Sequence, residues 1–143
     1  MTLAAVFSDE ARAEVLGRAE GRCSGCGRTE PMTVQHRRAR GMGGTSRVEL
    51  GHPANGLALH GSGTTGCHGW TERHPLVAGL LGWRLGPDDD PRLAPYWCST
   101  GWSWNRVGDD GSRLYVDVDD LPDRDAREAA VRTFLRWRDA ARR

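Results

Sequence analysis

Two stretches of the chain carry apolar residues at helical spacing, and between them the pattern is shorter and more broken. Near the start, Val15, Leu16 and Ala19 line one face behind Ser8-Asp9-Glu10. A serine N-cap followed by acids predicts a helix start there, and Gly21 predicts its end. Near the other end, from about residue 121, Ala130, Phe134, Trp137 and Ala141 form one stripe, widened by Val131 and Leu135, with Asp120 or Asp123 as cap. In between, the β-branched run Met32-Thr33-Val34-Gln35-His36 predicts a short strand. Leu57 and Leu59 alternate towards a core just after the turn dipeptide Asn55-Gly56. Cys67-His68 leads into a short helical segment over 69–73, and Pro75 opens another that runs to Leu81. Residues 97–107 and 112–118 read as two strands around Gly108-Asp109-Asp110-Gly111. The sum is an α+β fold: a central core over about 22–82, flanking helices, and a C-terminal β-hairpin plus helix over about 96–143. At 143 residues the whole chain is one domain's worth.

No apolar run reaches the length of a membrane helix, so no membrane partner is expected. The first eight residues lack a basic region followed by a cleavable apolar stretch. No export signal is expected, and the cytoplasm is the default compartment. In that setting four cysteines read as metal ligands or free thiols rather than a disulfide framework.

Net charge of +1 on its own argues against a nucleic-acid partner, but it averages two opposed segments. Residues 22–47 hold Arg22, Arg28, Arg37, Arg38, Arg40 and Arg47 against the single acid Glu30, whereas 88–125 holds ten aspartates against four arginines. A locally positive face matters more for phosphate than the chain total. Lysine is absent, which fits either a genomic bias, since arginines elsewhere share it, or a demand for bidentate phosphate contacts.

The chemistry-bearing residues crowd into 23–68, which holds three of the four cysteines and four of the five histidines. Cys23-Ser24-Gly25-Cys26 has the form of a metal knuckle; two free thiols in a turn is the plainer alternative. Cys67 and His60 offer the second ligand pair, because the glycine-rich insert between them can loop out. His36 ends the first strand and is followed at once by Arg37, Arg38 and Arg40, then by the loop Gly41-Met42-Gly43-Gly44. An imidazole can take a proton from water near neutral pH while guanidinium groups hold phosphates. Asn55 either makes a tight bend or uses its amide to orient the histidine or hold loop backbone. His68, beside Cys67, reads as a ligand to a second metal.

Elsewhere the plainer readings lead. Asp88-Asp89-Asp90 is an acidic, solvated turn. Trp102 and Trp104 suit packing more than base stacking, Cys98 is a free thiol, and the arginine-rich side of the last helix is first a helix surface.

Cys-x-x-Cys, a histidine closing a first strand, an asparagine before an apolar pair, and Cys-His, in that order, resemble the zinc-stabilised HNH endonucleases of ββα-metal fold. The stretches Gln35-His36-Arg37-Arg38-Ala39-Arg40-Gly41-Met42-Gly43-Gly44 and Gly63-Thr64-Thr65-Gly66-Cys67-His68-Gly69-Trp70 are similar to small HNH proteins of actinobacterial phages. The resemblance covers about half the chain. It implies hydrolysis of DNA phosphodiesters, with His36 as general base and Asn55 as the middle asparagine. His68, with Gln35 in the position where relatives carry histidine or aspartate, would bind a catalytic Mg²⁺ or another divalent ion. Cys23, Cys26, His60 and Cys67 would hold structural Zn²⁺, His60 replacing a cysteine, and Arg37, Arg38 and Arg40 would hold phosphates. Glu72 and His74 are reserve ligands. DNA is then the partner, and DNA processing or packaging beside a phage terminase, in the cytoplasm of a bacterial host, is an expectation of the resemblance alone. A zinc-knuckle protein that binds DNA without cutting it is the alternative, kept open by the neutral Gln35. A packaging partner with no DNA affinity is a third.

Overall fold

The computed structural model describes residues 7–39 and 48–142. Arg40, the Gly41–Gly44 loop and most of the leading segment read above for an export signal lie outside the described residues. Among the described residues four α-helices and two small antiparallel sheets make a mixed α+β fold. Helix α1 (Asp9–Arg18) precedes strands β1 (Met32–His36) and β2 (Gly56–His60), which pair with Met32 opposite His60 and His36 opposite Gly56. Helices α2 (Gly66–Arg73) and α3 (Pro75–Leu80) follow. The second sheet is β3 (Tyr96–Cys98), β4 (Ser103–Val107) and β5 (Arg113–Val116), and α4 (Arg124–Ala141) closes the chain. Among the described residues no helix is long and apolar enough to cross a membrane.

Local chemistry sets most boundaries. Ser8 Oγ accepts from the Ala11 backbone N–H at 3.0 Å, so the expected cap is in place. Pro75 stands at the first turn of α3, where its missing N–H costs nothing. The expected two-stranded C-terminal hairpin is instead a three-stranded meander. β4 and β5 pair as foreseen, Val107 opposite Arg113 and Trp104 opposite Val116. The stretch read as one strand over 97–107 turns back at 99–102, where Gly101 (φ 81°) and Trp102 (φ 51°) are left-handed, and the Trp102 N–H donates to Ser99 O at 3.1 Å. Trp102 therefore sits in a turn, not on a strand beside Trp104.

The β1–β2 hairpin is covered on both sides, which is why β2 is buried along nearly its whole length. Side chains of a strand alternate between faces. Val34 and Ala58 point to a small cluster with Phe7, Ala11 and Val15 of the α1 side. Leu57 and Leu59 point the other way, into the main core, where Trp70, Trp83, Trp97 and Phe134 meet. Phe134 from α4 packs edge-on against Trp70 at 5.0 Å and Trp83 at 4.8 Å. The α4 stripe is as read from its period, except that Ala141 is exposed. Asp88–Asp90 is a solvated turn: Asp89 accepts from the Gly86 N–H and Asp90 pairs with Arg92.

Candidate functional site

Three sulfurs converge where the loop after α1 meets the start of α2. The Sγ atoms of Cys23, Cys26 and Cys67 lie within 4.8 Å of one another, and all are free thiols. Gly25 lets them close: a Cβ there would stand 2.8 Å from Phe134 Cζ and 3.1 Å from Cys67 Sγ. Backbone N–H groups of Gly25, Cys26 and His60 donate to Cys23 Sγ at 3.3, 3.4 and 3.1 Å, the donors a buried thiolate requires. Arg142, past the end of α4, donates to Cys26 O at 2.6 Å and ties the last helix to this loop.

The trio is electrostatically frustrated as thiols. Hydrogen bonds from Cys23 and Cys67 pull the Cys26 thiol far below its usual range. Burial pushes Cys23 up, and Cys67 is raised chiefly by its bonds to the other two. Close sulfurs competing for protons are relieved when one cation replaces the protons, so the donor set fits a metal ion. The fourth expected ligand is not in the group. His60 lines a 230 Å³ cavity beside Cys26 and Cys67, and only its backbone N–H reaches Cys23.

Next in sequence, His68 stands in the first turns of α2 over β1. Its Nδ1 is 2.8 Å from Thr33 Oγ1, and its Nε2 is 3.8 Å from Glu72 Oε1, one helical turn on. Glu72 also receives Arg84 Nη1 at 2.9 Å. Burial lowers the His68 pKa, opposed in part by Glu72, which favours the neutral imidazole that can ligate. Gln35 shares the Thr33 face of β1. Its Nε2 donates to Trp83 O at 2.9 Å, while its buried Oε1 has no hydrogen-bond partner. An unsatisfied buried acceptor costs free energy and calls for a reason. His74, in contrast, is occupied by Trp70: its ring stacks at 4.7 Å and its Nδ1 is 2.9 Å from Trp70 O.

His36 emerges on the opposite face from Gln35 and His68, with Val34. Its ring stacks on Phe7, centroids 4.2 Å apart and planes 24° from parallel. Asn55 is fully buried and holds backbone: Oδ1 accepts from the Arg38 N–H at 2.8 Å, and Nδ2 donates to Arg38 O and Leu50 O at 3.1 and 2.9 Å. Both ends of the loop that follows His36 are thereby pinned.

Arg37 corrects the sequence reading. It is buried (1% exposed), and its guanidinium donates to the carbonyls of Gly82, Ala54, Pro91 and Ala94 at 2.8–3.2 Å, with Pro95 at 3.5 Å. Committed to interior backbone, it has no donor to offer a phosphate. Arg38 keeps its side chain at a 270 Å³ cleft shared with His52, Asp90 and Arg92. Sequence reasoning missed Thr33 and Arg84 as partners of His68 and Glu72, because both contacts join segments far apart in the chain. Compared with known proteins, the chain matches no family model, no curated protein and no solved structure.

Proposed function

We propose that this protein is a metal-dependent HNH endonuclease that hydrolyses DNA phosphodiester bonds. The observation that carries the proposal is the adjacency of Cys67 and His68. The first closes a three-cysteine cluster that could hold a metal, and the second joins a separate polar group with Thr33 and Glu72; the unpartnered Gln35 Oε1 belongs to the Thr33 face of β1. In this reading β1, β2 and α2 form the ββα-metal core. Zn²⁺ would be held by Cys23, Cys26 and Cys67, with His60, which lines the cavity beside Cys26 and Cys67, as the fourth ligand.

The catalytic ion would be held by His68 and Gln35, with Glu72 within a turn. Mg²⁺ or a similar ion there supplies charge neutralisation for the scissile phosphate and the leaving 3′-oxygen. His36, its ring plane set by Phe7, takes the proton from the attacking water. Asn55 is a positioning residue that fixes the backbone of Arg38. Arg38 and Arg40 hold flanking phosphates, a contribution that weakens with salt. DNA processing or packaging beside a phage terminase, in the cytoplasm of a bacterial host, is the setting proposed for this activity.

One observation favours a second reading, a zinc-knuckle protein that binds DNA without cutting it: Gln35 is neutral and half-engaged by Trp83 O, a weaker ligand than a carboxylate. Supercoiled plasmid incubated with purified protein and Mg²⁺ or Mn²⁺ separates the two. Nicking that stops on removal of the divalent ion supports the nuclease; a protein that shifts plasmid in a gel yet never nicks it is the binding module.

A further inference from the structure

Away from the site above, the meander and α4 enclose a 380 Å³ groove whose walls include Trp97, Trp102, Tyr115, Glu128 and Arg132. Trp97 is buried there and serves packing, but Trp102 is 60% and Tyr115 70% exposed. Trp102 also holds φ at 51°, which is costly for a bulky side chain, in a turn where glycine would sit without strain. Its ring is kept in place by an edge contact to Trp97 at 5.4 Å and by the Arg138 guanidinium 6.0 Å from its centroid, a group that also pairs with Asp139. Packing alone does not need a strained indole that remains mostly in water.

We infer that this groove binds the unpaired bases of a single-stranded nucleic acid. The exposed rings of Trp102 and Tyr115 can stack on a base of any identity, Arg132 on the wall can take a linking phosphate, and the Glu128 carboxylate can accept from a base N–H. The volume suits a small planar ligand. The inference rests on nucleic acid being the partner in the reading above, and not on cleavage.

The test uses the full chain without added divalent ion, titrated with a short oligothymidylate and with an abasic strand of equal length, read by tryptophan fluorescence. Oligothymidylate should quench and bind at least about tenfold tighter than the abasic strand, in line with stacking energies. Trp102→Gly, which removes the ring while relieving the left-handed φ, should lose about tenfold in affinity and stay folded; Tyr115→Ala should lose a comparable amount. Equal binding of both strands, or variants that bind like wild type, would overturn the inference. So would self-association of wild type abolished by Trp102→Gly, which would assign the groove to a second copy. Plasmid nicking is scored separately, so a nuclease that fails this titration loses only the groove.

Discussion

Arg37→Met separates two roles that adjacent arginines could share. The substitution keeps an apolar stem and deletes every donor, leaving the buried carbonyls of Gly82, Ala54, Pro91 and Ala94 without partners at the junction of β1, the turn before β2, the end of α3 and the lead into β3. An orphaned buried acceptor costs about 1–3 kcal/mol, so four give roughly 4–12 kcal/mol before relaxation. Removing a buried guanidinium also recovers several kcal/mol of desolvation, and water entering the void satisfies some acceptors, which brings the net loss to about 3–5 kcal/mol. That is a large part of the ~5–15 kcal/mol available to a domain. Burial lowers the Arg37 pKa only to about 10, so at neutral pH it is charged folded and unfolded, and the loss should be independent of pH between 6 and 8. Urea unfolding followed by tryptophan fluorescence measures it. Arg38→Ala should unfold within ~0.5 kcal/mol of wild type, as surface changes do, while binding DNA more weakly at low salt. An Arg37→Met protein within about 1 kcal/mol of wild type would refute the reasoning, since carbonyls that tolerate loss of their donor were not buried acceptors.

Three further outcomes follow from the site. Cys26→Ser should leave the protein without its metal and lower its melting temperature, because binding and folding are coupled in a thiolate site; metal analysis beside a thermal scan checks this, and a stable, metal-free variant would remove the structural role. Gly25→Ala should destabilise by about 1–3 kcal/mol and reduce metal content together, its Cβ being forced against Phe134, Trp83 and Cys67 Sγ. Thr33→Val removes the partner of His68 Nδ1, and should change stability by no more than about 1 kcal/mol while raising the Mn²⁺ concentration needed for nicking. An unchanged Mn²⁺ requirement would show that His68 needs no orientation from β1.

Local signals carried the fold a long way, and stopped where tertiary contacts decide. The Ser8 cap, the β1 run and the α4 stripe were readable because capping chemistry and side-chain periodicity are written in neighbouring residues. The 99–102 turn was missed although Ser99-Thr100-Gly101 is turn-prone; the tryptophan alternation outweighed it, and a left-handed Trp102 is not a choice that propensity favours. At the site, Cys23 and Cys26 could be paired from spacing because a thiolate knuckle has a fixed short form, and Cys67 entered only as half of a candidate second pair. His60 was paired with Cys67 on spacing alone, and its ring lies outside the three-sulfur group because tertiary packing, which spacing does not encode, sets where it points. Arg37 and Arg38 are indistinguishable as letters. What separates them is the set of carbonyls at 54, 82, 91 and 94 that folding brings around one of them.

The most direct measurement is the plasmid-nicking rate of His36→Gly with and without added imidazole, at matched metal content. If His36 is the base that activates water, the variant should lose about 10²-fold or more in rate, and imidazole diffusing into the space beside Phe7 should restore part of it with a dependence on the neutral form. A His36→Gly protein that is folded, keeps the wild-type metal content and nicks as fast as wild type would contradict the proposal of a His36-dependent nuclease.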